Sequence, residues 1–268
     1  MSKKSKKIYL DYAATTPVDP RVIKAMAPFF SEKFGNTMSI HSFGQEAKLA
    51  LEEARETVAG LIGAKSNEII FTGSATESNN LALKGIVFAK LNNHKNPRSW
   101  VLMDGLHIII SAIEHPCIME TADWLSERSL REKQGVKITR IPVDKDGLVN
   151  PSDIKKALTK ETILVSIIHA SNEIGTIQPI KEIGAIIKSA NYKLKTKIYF
   201  HTDAVQSLGK IPIDVNKMNI DLLTASSHKM YGPKGAACLF VREGVKIEPI
   251  LHGGGQEDGL RSSTVNLP

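Results

Sequence analysis

Apolar and polar positions along this chain follow two rhythms. Short runs rich in β-branched residues read as strands: Glu68 to Thr72, His107 to Ile113, Val136 to Ile141, Ile163 to Ile168, Lys197 to Phe200, Ile220 to Thr224 and Ala236 to Val241. Between them the apolar period lengthens to that of a helix, over Pro20 to Phe30, Gln45 to Leu61, Glu77 to Phe88, Pro116 towards Arg131, Ser152 to Leu158 and Ile180 to Ala190. Pro20 and Pro116 suit the first position of a helix, and Gly63 suits the end of one. Ile8 to Pro17 reads as a short extended piece, and Phe34 to His41 as a loop. Lys90 to Leu106, with its asparagines, Pro97 and Gly105, reads as a surface insertion. The run Ile163-Leu164-Val165-Ser166-Ile167-Ile168 is continuous rather than alternating, as in a strand covered on both faces. Strands alternating with helices predict an α/β fold, a mostly parallel central sheet with helices on both faces.

Composition narrows the class. A chain of 268 residues can build one large α/β domain, and 42% hydrophobic with 24% charged residues is ordinary for a soluble globular protein. The longest apolar runs are too short to span a bilayer, so no membrane is expected. The net charge of +7 sits partly in Lys3, Lys4, Lys6 and Lys7, with no apolar segment of signal-peptide length behind them. A solubilising tail is expected there rather than a nucleic-acid arm. The two cysteines, Cys117 and Cys238, lack metal-type spacing; neither a disulfide framework nor a metal site is expected, and a reducing cytoplasm fits.

Candidate chemistry gathers where strands end, the edge at which ligands bind in such sheets. Thr224-Ala225-Ser226-Ser227-His228-Lys229-Met230-Tyr231-Gly232-Pro233-Lys234-Gly235 follows an apolar run and holds Lys229 between His228 and Tyr231. A lysine fixed at a sheet edge can condense with an aldehyde cofactor. Gly73-Ser74-Ala75-Thr76-Glu77 feeds a helix, which makes a phosphate seat or an ordinary cap by Ser74 or Thr76. Its spacing is neither that of a dinucleotide loop nor that of a nucleoside-triphosphate loop. His115 could stack on a planar ring or be structural, and Asn172-Glu173 could be a plain polar loop. Asp203 closes an apolar strand, where a carboxylate is expensive to bury unless something positive meets it. A protonated pyridine nitrogen is such a partner.

With these pieces in order, the chain resembles the cysteine desulfurases, pyridoxal-phosphate enzymes in the class V group of the aspartate-aminotransferase fold. The likeness is carried by Leu10 to Pro17, Phe34-Gly35-Asn36, Ala75-Thr76-Glu77-Ser78-Asn79-Asn80, Glu114-His115, Asn172-Glu173-Ile174-Gly175, Asp203-Ala204-Val205-Gln206-Ser207, Ser227 to Gly235, and His252-Gly253-Gly254-Gly255-Gln256-Glu257. It implies a type I pyridoxal-phosphate transferase fold. Lys229 would anchor the cofactor and shuttle the substrate's α-proton. Asp203 would keep the ring nitrogen protonated, and His115 would stack on the ring and act in acid–base steps. Gln206 would bond the phenolic oxygen. Asn172 would face the ring and, with Asn36, the substrate. Ala75, Thr76, Ser226 and His228 would hold the phosphate, and Thr264 would reach the phosphate of a second subunit, implying a homodimer with shared sites.

The resemblance also sets expectations for what is missing. Gly73-Ser74 reverses the usual order of the pair, Thr37 stands where proline is common, and Ser263 replaces a glycine before Thr264. Family members continue beyond the position of Pro268 into a small domain that carries the nucleophilic cysteine and an arginine for the substrate carboxylate. The expected organisation is therefore a tail and small-domain segment over 1–15, a large cofactor domain over 16–262, and the start of a largely absent small domain over 263–268. The full-length reaction would turn L-cysteine into L-alanine and an enzyme persulfide. Its sulfur would pass through an acceptor scaffold to iron–sulfur or tRNA thiolation pathways in the cytoplasm. The alternatives are a non-catalytic dimer partner or fragment, or a pyridoxal-phosphate enzyme with residual transaminase or lyase activity. Cys117, beside His115 and near a helix start, sits where a thiol pKa can fall, but it matches no family nucleophile. A packing role is expected for it, and a core position for Cys238.

Overall fold

The continuous apolar run does form a strand buried along its whole length, β4 (Thr162–Ser166), and the sheet is built outwards from it. The computed structural model describes residues 7–92, 105–132 and 136–268. Lys3, Lys4 and Lys6 of the expected tail, and most of the expected insertion over 90–106, lie outside those residues. The elements run α1 (Pro20–Met26), α2 (Pro28–Ser31), α3 (Ser42–Ile62), β1 (Ile69–Thr72), α4 (Ala75–Asn92), β2 (His107–Ser111), α5 (Pro116–Glu132), β3 (Lys137–Ile141), α6 (Pro151–Ala157), β4, α7 (Ile180–Leu194), β5 (Tyr199–Asp203), β6 (Leu222–Ser226) and β7 (Ala237–Val241). The strand order is β1-β7-β6-β5-β4-β2-β3. Only β7 runs against the others, paired antiparallel to both β1 and β6.

Alternate residues of each strand serve two separate cores. Ile109, Val165, Phe200, Leu223 and Phe240 point to one face, where α3, α6 and α7 bring Ile62, Ile154, Ile183 and Ile187. Ile108, Ile110, Leu164, Leu222 and Leu239 point to the other, against Leu81, Ile86, Ile118 and Leu125 of α4 and α5. Each such fully buried side chain contributes roughly 1.5–3 kcal/mol over its exposed state. This double burial is why the central strands read as unbroken apolar runs rather than as alternation.

Most boundaries move by a few residues from the sequence expectation, and three of the differences have a clear physical reason. The helix expected over Pro20 to Phe30 divides at Ala27, because Pro28 has no N–H to continue the ladder and starts α2 instead. The strand expected to end at Phe200 runs on to Asp203, because its polar residues find partners inside the sheet. His201 pairs through Nδ1 with Ser166 Oγ at 2.8 Å and through Nε2 with Thr224 Oγ1 at 3.1 Å, while Thr202 Oγ1 donates to the Ile167 carbonyl at 2.7 Å. Burial pushes the His201 pKa down to about 3, so the imidazole is neutral. β6 likewise continues two residues past Thr224, which puts Ser226 at its tip.

Candidate active site

β1, β2, β4, β5 and β6 all point their carboxyl ends to one edge of the sheet, and a cavity of about 720 Å³ opens there. It is lined by Ala75, Thr76, His115, Asn172, Asp203, Gln206, Ser226, His228 and Lys229, nine residues singled out in the sequence from five separate segments. Asn36 stands outside it, with its Oδ1 accepting from the Met38 amide at 2.9 Å. Thr264 lines a second cavity of about 410 Å³ with Arg261, Gly235 and the chain's last residues.

Asp203 ends β5 almost fully buried. Its Oδ1 accepts from the Val205 amide at 3.0 Å and its Oδ2 from Asn79 Nδ2 at 2.7 Å. Burial raises its pKa, and these neutral donors with the nearby His115 and Lys229 offset only part of that rise. Such a carboxylate is best satisfied by a cationic group entering the cavity.

Lys229 lies in the turn after β6. Its Nζ donates to the carbonyls of Ala13 and Ala14 at 2.6 and 2.7 Å. Partial burial, then the charge of Lys210, lowers its pKa and so favours the neutral, nucleophilic amine. The N-terminal segment is laid across this turn. Thr16 N donates to the His228 carbonyl at 2.9 Å, Thr16 Oγ1 accepts from the Tyr231 amide at 2.8 Å, and Asp19 N donates to the Tyr231 carbonyl at 2.9 Å. Those contacts hold Tyr231 at φ +63°, a strained value for an aromatic residue. Gly232 can only be glycine, because a Cβ there would sit 2.5 Å from the Ser227 Cβ.

At the start of α4 the amides of Ala75 and Thr76 belong to the first turn, which has no intrahelical acceptors and carries the positive end of the helix dipole. The turn before it is pinned from outside the cavity. Gly73 N donates to Glu77 Oε2 at 2.8 Å, and Arg261 Nε donates to Glu77 Oε1 at 2.7 Å. Lys234 also lines the cavity and adds a cation that the sequence reading left in an ordinary turn.

His115 and Cys117 sit where β2 hands over to α5. The Cys117 amide donates to His115 Nδ1 at 3.2 Å, and the Cys117 sulfur lies 3.0 Å from the same nitrogen. Burial pushes the Cys117 thiol up to about 11, so the lowering that a helix start can bring does not prevail here, in keeping with the packing role expected for it. Cys238, in the sheet, is pushed up to about 12 by burial, and the expectation of a core cysteine holds. Glu114 is buried beside them, accepting from Ser111 Oγ and from the Ile168 amide at 2.7 Å; its Oε2 has no partner, and burial raises its pKa to about 8. Among the described residues no group of three or more His, Cys, Asp or Glu side chains is placed to hold a metal ion, and no helix is long and apolar enough to cross a membrane.

A mostly parallel α/β sheet with a lysine, a buried aspartate and a helix N-terminus around one cavity at its carboxyl edge is the architecture of type I pyridoxal-phosphate transferases. The chain belongs to the class-V aminotransferase family, whose signature matches residues 8–266. It is 51% identical over 262 residues to the cysteine desulfurase IscS of Dictyoglomus turgidum, a match covering 98% of this chain and 61% of that protein. It is 49% identical over 268 residues to the cysteine desulfurase IscS of Methanosarcina thermophila, covering 100% and 61%. Among solved structures, a NifS-like protein superposes with a TM-score of 0.87 at 41% identity, covering 98% of this chain and 66% of that one. SspA in complex with cysteine superposes with a TM-score of 0.84 at 40% identity, covering 97% and 69%. The chain thus spans 61% of the length of the two curated relatives.

Members of this family use pyridoxal phosphate. The residues present here fit that group on their own chemistry. The cavity offers a buried carboxylate held by neutral donors, an amine of lowered pKa, and a helix N-terminus with His228 and Lys234 beside it.

Proposed function

We propose that this chain is the cofactor-holding domain of a cysteine desulfurase acting on L-cysteine. The observation that carries the reading is the single cavity that gathers Lys229, Asp203 and His115 with the start of α4. When bound, pyridoxal phosphate supplies an electron-withdrawing ring that acidifies the α-carbon of an amino acid. Lys229 Nζ, which here donates to the Ala13 and Ala14 carbonyls, would hold the cofactor and move the substrate's α-proton. Asp203 would keep a proton on the ring nitrogen. Ala75, Thr76, Ser226 and His228 would bind the phosphate, and Gln206, whose Nε2 donates to the Ala13 carbonyl at 2.8 Å, would serve the phenolic oxygen. His115 would pack on the ring, and Asn172 would orient the substrate carboxylate. The resemblance alone assigns Asn36 to the substrate and Thr264 to a second subunit's phosphate.

Cleavage of L-cysteine to L-alanine requires a thiolate that attacks the substrate sulfur, breaks the Cβ–S bond and keeps that sulfur as a persulfide, while Cβ gains a proton. Burial raises the pKa of both Cys117 and Cys238, so neither is poised as that thiolate, and in this reading the acceptor would be supplied by another segment or chain. In this reading residues 16–262 form the large domain, and 1–15 and 263–268 belong to a small one. The sulfur serves iron–sulfur assembly or tRNA thiolation in the cytoplasm, through a scaffold partner. A homodimer would cover part of the apolar surface left open at Leu10 and Ile40, which are 87% and 92% exposed.

The test is the visible spectrum of the purified chain with pyridoxal phosphate, before and after borohydride, beside Lys229→Ala. A band that reduction traps, and that the variant lacks, supports the reading. A folded chain that yields no band overturns it.

A further inference from the structure

Asn79 occupies the second turn of α4, fully buried, and its amide group is used unevenly. Nδ2 donates to Asp203 Oδ2 at 2.7 Å and also to Cys117 Sγ at 3.1 Å. Oδ1 is buried without a hydrogen-bond partner. Exchanging the two ends of the amide would set Oδ1 against the Asp203 carboxylate, oxygen to oxygen, so the orphaned carbonyl follows from placing the NH₂ group on that carboxylate. Next to it, Ser78 Oγ bonds Thr72 Oγ1 at 2.7 Å and fastens this turn of α4 to β1, which fixes where the amide points.

Resting on the function proposed above, we infer that Asn79 is a positioning residue for the cofactor's ring nitrogen. It aims the Asp203 carboxyl group at the cavity, opposes the loss of its charge on burial, and ties it through the Cys117 sulfur to His115. Among the described residues Asp203 has one other donor, the Val205 amide, so Asn79 makes its only side-chain hydrogen bond there. The charged and titratable groups around Asp203 come from two places: Lys229 from the turn after β6, and Glu114 and His115 of the β2–α5 connection with Cys117 at the start of α5. None of these replaces the neutral donor, because Asn79 alone reaches Oδ2 from α4.

Titration of the Asp203 carboxyl carbon by NMR, in the cofactor-free full chain with Asp203→Asn to assign the signal, tests this directly. Asn79→Leu, close in volume but without a donor, is expected to raise the Asp203 pKa by at least about one unit, a tenfold change in its proton affinity. If that variant does not fold, Asn79→Ala is read in the same way. A shift below about 0.3 unit in the folded variant, within the scatter expected from a merely structural change, overturns the inference. A second measurement compares the affinity for pyridoxal phosphate with that for its analogue carrying carbon in place of the ring nitrogen. The wild-type chain should prefer the natural cofactor, and Asn79→Leu should lose about tenfold of that preference. Equal weakening of both ligands also counts against the inference. If the wild-type chain binds neither ligand, the proposed function fails, and the carboxyl titration still decides the role of Asn79.

Discussion

The backbone amide of Cys117 donates to Nδ1 of His115 at 3.2 Å, which leaves Nε2 to carry the proton of the neutral ring. A backbone N–H can only donate, so the geometry selects one tautomer whatever the neighbouring sulfur does. Any proton that neutral His115 gives up in the cavity must therefore leave from Nε2.

Nitrogen NMR of the histidine rings checks this. In its neutral form His115 should show the pattern of a protonated Nε2 and a bare Nδ1. Cys117→Ala should keep that pattern, because the amide stays. A protonated Nδ1 in either protein would refute the assignment.

Glu114 should make stability fall with rising pH. Unfolded, its carboxyl ionises near the ordinary value of 4.5, whereas folded it holds its proton to about 8. Between these values the folded state binds more protons than the unfolded one, so stability declines across that window and levels off above it. Glu114→Gln keeps an acceptor for Ser111 and Ile168 and never ionises. It should match the wild type near pH 4.5 and melt about 5 °C or more higher at pH 8. Parallel melting curves at both pH values would sink the prediction.

Arg55 and Glu257 form a buried pair that ties α3 to the segment after β7. The two guanidinium nitrogens meet the two carboxylate oxygens at 2.7 and 2.8 Å, and the pair also bonds the Ile69 carbonyl and the Phe71 amide of β1. Arg55→Ala strands a buried carboxylate and should cost roughly 3–5 kcal/mol in urea unfolding. Adding Glu257→Gln should recover part of that loss. A single-variant loss below about 1 kcal/mol would mean that the pair is not desolvated as described.

Two helical glycines should respond in opposite directions to the same substitution. At Gly60 in α3 an added methyl meets nothing within 4 Å, so Gly60→Ala should stabilise by about 1 kcal/mol through helix propensity. At Gly184 in α7 the methyl would lie 2.0 Å from the Met218 carbonyl oxygen. Gly184→Ala should therefore destabilise by about 1–3 kcal/mol despite the same propensity gain. Thermal melts of both variants compare directly.

Much of the site was legible because strand ends announce themselves. Asp203, Lys229 and His115 each break an apolar or small-residue pattern with a group that is costly to place without purpose, and one cavity collects all three. Asn79 was legible only as part of a motif. An asparagine inside a helix carries no local sign of burial, and its partners, Asp203 and Cys117, lie far from it along the chain. Lys234 read as one turn lysine among many until the fold turned it towards the cavity.

What the sequence alone determined is the alternation of strands and helices, the double burial of β4 and its neighbours, and the polar tips of the strands. Those features follow from apolar periodicity and from proline and glycine at element ends, which act over a few residues. Tertiary structure decided the rest. Strand order, the antiparallel insertion of β7, the continuation of β5 through His201 to Asp203, and the crossing of Ala13 and Ala14 over Lys229 all depend on partners distant in sequence. Polar groups such as His201 and Asn79 can be buried only when such partners arrive, and no local pattern shows that they will.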